Sequence, residues 1–324
     1  MTESYLVQSS PHIRDKDTTP RIMVRVIIAL LPACLAALYF FRLRALALIV
    51  VCIIACLTTE AIFLWARKKP LSPLLDGSAI ITGLLLAMTL PPSFPLSSAA
   101  IGAVVSIALG KQIFGGLGHN VFNPALVGRA FLATAFPVSI TTWLPPATLR
   151  VDMATFATPL GNLKFQEAVA HGTLTPLQDL FLGNVGGCIG ETSAIALLLG
   201  GIYLLFKRTI DWRIPLGLTL ALVIFTGAFW LADPTRYASP LFHLLAGGFL
   251  LGAIYMATDM VTSPVTAPAT WVYAVGIGFV TGLIRVVGGY PEGVMYSILL
   301  MNAFVPLLNI FIRPRILGQR KKEK

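Results

Sequence analysis

Long apolar stretches separated by brief polar punctuation dominate the chain. They fall at about 22–41, 45–66, 75–91, 97–114, 120–137, 188–206, 213–231, 241–258, 271–287 and 294–312. A transmembrane helix needs about 20 mostly apolar residues, within a range of 17–25. Each stretch meets or nearly meets that length, so the pattern predicts an all-α integral membrane protein of ten spans. Several stretches are short or cut by Gly and Pro. LPAC at 31–34 has the look of a lipoprotein cleavage box, but Arg25 interrupts the apolar run before it and LAALYFF continues the run beyond it. The segment therefore reads as an uncleaved first span.

Composition agrees with the pattern. The 324 residues are 56% hydrophobic and 12% charged, with a mean hydropathy of +0.81; soluble domains carry about 25% charged residues. The net charge of +10 raises nucleic acid as a partner, and the placement of the charges argues against it. Lys and Arg stand in short clusters between apolar runs and form no continuous basic face. With the N-terminus inside, Arg14, Lys16, Arg21, the run Arg67-Lys68-Lys69, Lys111, Lys207, Arg208, Arg213 and the tail from Arg313 to Lys324 all fall on the cytoplasmic side. Only Arg42, Arg44, Arg150, Lys164 and Arg236 fall outside. Both termini are thus expected in the cytoplasm, since one span more or fewer would put the basic tail outside.

A weak internal repeat divides the chain. LLDG at 74–77 matches LLAG at 244–247, and GGLGHNVFNPALVGRAF at 115–131 aligns with GGYPEGVMYSILLMNAF at 288–304. Five spans per half is an odd number, so the second copy must enter the membrane from the opposite side, as in inverted-repeat transporters. The expected organisation is a cytoplasmic segment at 1–21, a first five-helix repeat at 22–137, an external loop at 138–187, a second repeat at 188–312 and a basic cytoplasmic tail at 313–324. TLPPSFP (89–95) and TDMVTSPVTAP (258–268) interrupt the two halves at corresponding places. Either they are surface turns, or they are non-helical backbone satisfied by protein or a polar cavity, where a pathway or ligand belongs.

Candidate chemistry is sparse. Glu60, Asp76, Asp259 and Glu292 lie in or beside apolar spans, where carboxylates usually face a polar interior or an ion path; an interfacial position for Asp76 and Asp259 fits equally. Arg129 and Arg285 could bind an anion or a flavin carbonyl, pair with an acid, or snorkel. His119 and Asn120 precede Asn123-Pro124, which interrupts the helical ladder and frees backbone for a ligand or merely for packing. His119 has no partner at metal-ligand spacing. Cys34, Cys52, Cys56 and Cys188 likewise show no paired spacing and read as packing residues.

GGCIGETSAIALLLGG at 186–201 poses the sharpest question. Its glycines permit close backbone approach, and Thr192 is expected in the first turn of the sixth span. Free N–H groups and the helix dipole there favour phosphate, although the charge of Glu191 opposes it. From the residues alone helix capping is the simpler reading, because Thr and Ser are favoured caps.

Five blocks carry a resemblance over nearly the whole chain: SPHIRDKDTTPRIMVRVIIALLP (10–32), LLDGSAIITGLLLAMTLPP (74–92), GLGHNVFNPALVGRAFL (116–132), IGETSAIALLLGG (189–201) and MATDMVTSPVT (256–266). In this order they resemble the D subunits of the Rnf (Rsx) ion-translocating electron-transport complexes and, more distantly, the B subunit of the sodium-pumping NADH:quinone oxidoreductase. The resemblance implies ten helices in two inverted repeats and an FMN joined through its phosphate to Thr192 by a separate flavin transferase. Gly190, Glu191 and Ser193 would be its neighbours, with Asn123 and Arg129 as further contacts, and a non-covalent riboflavin is implied in this polypeptide or its sister. It also implies an inner-membrane location, other Rnf polypeptides as partners (the external G flavoprotein and the A and E membrane components), and coupling to Na⁺ or H⁺, for which Asp259, Asp76 and Glu60 are candidates.

Two other readings compete. A transporter or channel without a redox role fits the repeat and the broken helices equally, and Thr192 is the discriminating residue. The quinone-reductase component of the sister complex fits less well, given the short N-terminal region and the GETS form of the motif. No G-x-G-x-x-G follows a strand, so NADH or ferredoxin chemistry would belong to partner polypeptides.

Overall fold

The computed structural model describes residues 17–146, 157–165, 168, 169 and 171–313, and among these the regular structure is entirely helical. The basic residues expected at Arg14 and Lys16, in the loop at Arg150, and beyond Arg313 lie outside the described residues. α1 (Thr19–Ala66) breaks at Arg42, whose φ of 53° ends one helical leg and starts the next. Met23 on the first leg packs against Gly77, and Glu60 on the second leg joins Ser78 through Lys111. Both far ends of α1 therefore meet at one place, and the two legs run side by side in opposite directions.

The remaining elements of the first half are α2 (Ser78–Met88), α3 (Leu96–Ile107, continued by a π-turn over Ala108–Gln112), α4 (Pro124–Ala135) and α5 (Pro137–Ile140). Two short surface helices, α6 (Pro159–Phe165) and α7 (Leu177–Leu182), lead to α8 (Ala194–Phe206) and α9 (Arg213–Ala232). Next come α10 (Pro240–Leu245), α11 (Phe249–Leu251, continued by a π-turn over Gly252–Met256), α12 (Ala267–Val286) and α13 (Val294–Phe311).

Helix occupies every one of the ten apolar stretches, but the lengths differ from the expectation. α1, α9, α12 and α13 are long and apolar enough to cross a membrane. α2, α4 and α8 have only 11, 12 and 13 residues. At 1.5 Å per residue, α2 covers about half of the ~30 Å hydrocarbon thickness. The stretch at 241–258 is cut between α10 and α11 by Gly247, whose φ is +70°. Glycine supplies this left-handed turn without a side-chain clash, and the equivalent turn into α2 uses Gly77 at +84°.

Small residues bring the helices together, as expected where lipid removes the hydrophobic drive between them. A Cβ on Gly83 of α2 would lie 2.7 Å from the Ile53 Cα and 2.8 Å from the Cys52 carbonyl oxygen. The halves meet where Gly200 of α8 leaves room for Ala29 and Tyr255. The Tyr255 hydroxyl donates to the Leu197 carbonyl at 2.9 Å, with the Ala29 carbonyl 3.1 Å away. Leu35, Tyr39, Trp65, Ile224 and Phe311 are among the many large apolar side chains that face outward. The buried cysteines, Cys52, Cys56 and Cys188, carry free thiols, as does the partly buried Cys34.

The contact of α2 with α1 predicts one outcome. Gly83→Leu forces the two backbones apart, and overpacking of this kind costs about 1–3 kcal/mol. Thermal unfolding of the detergent-solubilised chain should show the loss; unchanged stability would disprove the close approach.

Candidate functional site

The glycine-rich segment before α8 is bonded directly onto the first break. Ile189 N–H donates to the Leu90 carbonyl (3.0 Å), and Gly190 N–H donates to the Met88 carbonyl (2.8 Å). Gly190 has no room for a side chain, because a Cβ there would stand 2.6 Å from the Met88 Cβ. Gly183, with φ +104°, passes equally close to the Thr192 carbonyl. TLPPSFP is accordingly no surface turn: Thr89, Leu90, Pro91, Pro92 and Phe94 are buried beneath this segment.

Thr192 lies one residue earlier than the capping position. Ser193 is the N-cap of α8, its hydroxyl accepting the Ala196 N–H at 3.3 Å. Thr192 is therefore outside the first turn and is not the cap, which corrects the expectation from sequence. Its residue is 1% exposed, and among the described residues its hydroxyl makes no hydrogen bond. It lines a cleft of about 690 Å³, within the usual ~300–1,000 Å³ of small-molecule sites. Trp143, Phe165 and Tyr290 supply aromatic walls, and Gly186, Gly187, Gly247 and Gly289 leave backbone accessible. Sequence reasoning missed these three aromatics. Trp143 and Tyr290 come from distant loops and Phe165 from the end of α6, and they share no periodicity with the motif.

Charge beside Thr192 is organised by Arg129 of α4. Its guanidinium donates to the Thr89 carbonyl, lies 3.3 Å from Cys188 Sγ, and pairs with Glu292 at 3.0 Å. Glu292 also accepts the Gly248 N–H at 2.6 Å, and Glu191 accepts the Cys188 N–H at 3.3 Å. Thus Arg129, Glu191 and Glu292, named separately from sequence, meet at one place. Glu191 and Glu292 line the Thr192 cleft with it. The acids disfavour a nearby phosphate, and Arg129 offsets the charge of Glu292. Asn123 is placed elsewhere: its Oδ1 caps α4 through Ala125 N–H (3.0 Å), while its Nδ2 donates to the Met256 carbonyl (3.1 Å).

The other three acids gather at the opposite end of α2, about 16 Å away by helix length. Glu60 forms a buried ion pair with Lys111 at 2.5 Å and accepts from Gln112 at 2.9 Å. Lys111 also donates to Ser78 Oγ (2.6 Å), and Ser78 donates through N–H and hydroxyl to Asp76 at 2.7 and 2.5 Å. Ser78, Lys111, Asn120, Asn123 and Asp259 line one small cavity of about 80 Å³. Asp259 accepts from Thr262 (3.1 Å) and, among the described residues, has no ion-pair partner. Lys111 departs from the position between spans expected for it. The π-turn that extends α3 carries it inward to 1% exposure, so it is not a loop charge. Its spacing from Glu60, 51 residues back, gave no local signal. His119 is exposed, and no group of three or more metal-ligating side chains occurs among the described residues.

A buried ion pair that loses one partner leaves an uncompensated charge, at about 3–5 kcal/mol. Lys111→Met should lower stability by that order, and Glu60→Gln combined with it should recover most of the loss. Unfolding of both variants in detergent checks this; equal stability of the two would remove the pair from the argument.

The sequence profile of the NQR2, RnfD, RnfE family matches residues 6–318. The chain is 45% identical to the D subunit of the proton-translocating ferredoxin:NAD(+) oxidoreductase complex of Clostridium ljungdahlii, over 98% of this chain and 97% of that one. It is 47% identical to the D subunit of the Na(+)-translocating ferredoxin:NAD(+) oxidoreductase complex of Acetobacterium woodii, over 98% and 96%. With the D subunit of the ion-translocating oxidoreductase complex of Stutzerimonas stutzeri it shares 39% identity over 95% of each. Similarity of this extent places the chain in the NQR2, RnfD, RnfE family.

Proposed function

We propose that this chain is the D subunit of an Rnf-type complex in the cell inner membrane. In this reading it relays electrons through FMN joined by its phosphate to Thr192, and couples that relay to movement of Na⁺ or H⁺. One observation carries it: a threonine hydroxyl without a hydrogen bond among the described residues stands on the wall of an aromatic-lined cleft of about 690 Å³. A helix cap would be bonded to its own helix, and Ser193 already fills that role.

When bound, FMN supplies the one- and two-electron chemistry, and the protein supplies position and electrostatics. Trp143, Phe165 and Tyr290 would enclose the ring system, and Gly187 and Gly247 would let backbone approach it. Ser193 fixes the start of α8, so the Thr192 hydroxyl is held at a defined place. Arg129 offsets the negative charge of Glu292 at the cleft. At the far end, Asp76 is engaged with Ser78 and Glu60 with Lys111, which leaves Asp259 as the acid best placed to hold a cation or proton. Its carboxylate faces a cavity that reaches both other acids through their partners.

Two observations support ten spans in two inverted repeats. Ser78 and Phe249, Leu96 and Ala267, and Pro124 and Val294 open helices 170–171 residues apart. Gly77 adjoins the acid network at one end of α2, while its counterpart Gly247 lines the Thr192 cleft at the other. Equivalent turns at opposite ends are what inversion requires. The Thr192 cleft would then face outward, accessible to the external G flavoprotein, with the A and E components beside it in the membrane and a flavin transferase acting during maturation.

Co-expression with a flavin transferase tests the reading. Wild-type chain should fluoresce on a denaturing gel, and a peptide from 183–207 should carry the FMN mass on Thr192; Thr192→Ala should abolish both. A dark wild-type band from cells able to flavinylate would favour a transporter without redox role. For coupling, Asp259→Asn in the assembled complex should lower ion transport at least about tenfold, as expected when an intramembrane carboxylate lies on the path. Undiminished transport and electron flow would exclude Asp259.

A further inference from the structure

We propose that a second, cationic cleft beside the Thr192 cleft binds a phosphate-type oxyanion, best supplied by an anionic phospholipid headgroup. This cleft has a volume of about 440 Å³ and shares only Leu160 and Pro291 with its neighbour. Lys164, Arg236, His243 and Arg285 line it, and no carboxylate does.

Arg285 makes the argument. It sits in the last turn of α12 and is 5% exposed. Its terminal nitrogens donate to the His243 and Ala246 carbonyls, while its Nε has no partner. Glu292 and Glu191 lie near enough to balance part of its charge, but among the described residues no carboxylate is in direct contact with it, and Glu292 is engaged with Arg129 (3.0 Å) and Gly248 N–H (2.6 Å). A buried guanidinium N–H without an acceptor is unfavourable, and an anion in the adjoining cleft would supply one. His243 is 3% exposed, and its Nδ1 is likewise unpartnered.

The cations converge from separate elements. Lys164 of α6 donates to the Ile284 and Arg285 carbonyls at 3.2 and 3.0 Å, which brings an ammonium to the same helix end. Arg236, in the turn between α9 and α10, is exposed, with its guanidinium over Tyr237 at 5.6 Å. Donors arriving from several directions suit a tetrahedral oxyanion better than a planar carboxylate. Leu231, at the end of α9 just before this turn, is largely exposed and apolar. An apolar surface close to a cationic mouth is the arrangement a phospholipid needs, with its chains along the helix and its phosphate in the cleft. It also gives Lys164 and Arg236 a use on the side where basic residues are otherwise scarce.

The test uses the full chain purified in detergent. Native mass spectrometry with phosphatidylglycerol and phosphatidylcholine measures lipid retention, and thermal unfolding with inorganic phosphate against chloride at equal ionic strength measures free-anion binding. Wild-type chain should retain phosphatidylglycerol in preference. Lys164→Gln with Arg236→Gln should weaken that retention about tenfold, as loss of charge-assisted contacts predicts. Both residues lie toward the surface, so this variant keeps the proposal testable even if Arg285→Gln fails to fold. Thr192→Ala should retain the lipid, which separates this cleft from the flavin reading. Stabilisation by inorganic phosphate that is lost in the double variant would assign the site to a free oxyanion. Equal retention of both lipids with no response to phosphate, or binding unaffected by the double variant, would overturn the proposal.

Discussion

The guanidinium of Arg129 is the interaction on which the rest of the arrangement depends. One side chain from α4 satisfies the Thr89 carbonyl where α2 stops, lies against Cys188 before the Thr192 segment, and pairs with Glu292. Glu292 in turn holds Gly248 at the start of α11. Four chain segments from both halves are thereby fixed around a single charge. Backbone that leaves the helical ladder away from water must be satisfied by protein. Here it is satisfied by a residue that also sets the electrostatics of the cleft.

The short helices follow from the same constraint. α2 ends where Met88 and Leu90 accept hydrogen bonds from Gly190 and Ile189, so its lost helical bonds are replaced by cross-chain ones. Its other end begins at Ser78, which is linked through Lys111 to Glu60. A helix of 11 residues thus separates two polar regions of different character. One is the aromatic-lined cleft of about 690 Å³ with Thr192 on its wall, and the other is a small cavity of about 80 Å³ lined by Ser78, Lys111 and Asp259.

On the proposed reading, ion choice is a local matter. Relatives at 45% and 47% identity are named for protons and for sodium respectively, so the scaffold is common to both. Asp76 and Glu60 are already engaged by Ser78 and Lys111, whereas among the described residues Asp259 holds Thr262 as its one side-chain partner. Its immediate oxygen donors, more than the overall charge of the cavity, would decide between a metal ion and a proton.

The sequence by itself determined the helical, apolar character of the chain, the positions of its helices and the weak repeat, because burial in lipid requires long apolar runs and turns require Gly and Pro. It also singled out Thr192, Arg129, Glu60 and Asp259, since polar residues are conspicuous in such a chain. Tertiary structure alone decided how far each helix extends, because the ends of α2 and α11 are set by hydrogen bonds from residues more than forty positions away. It decided that Lys111 is a buried partner of Glu60 rather than a loop charge. It also gave the capping role to Ser193 and put Thr192 on the wall of the cleft. Contacts between distant residues carry no local period, and only the folded chain brings Trp143, Phe165 and Tyr290 around one threonine.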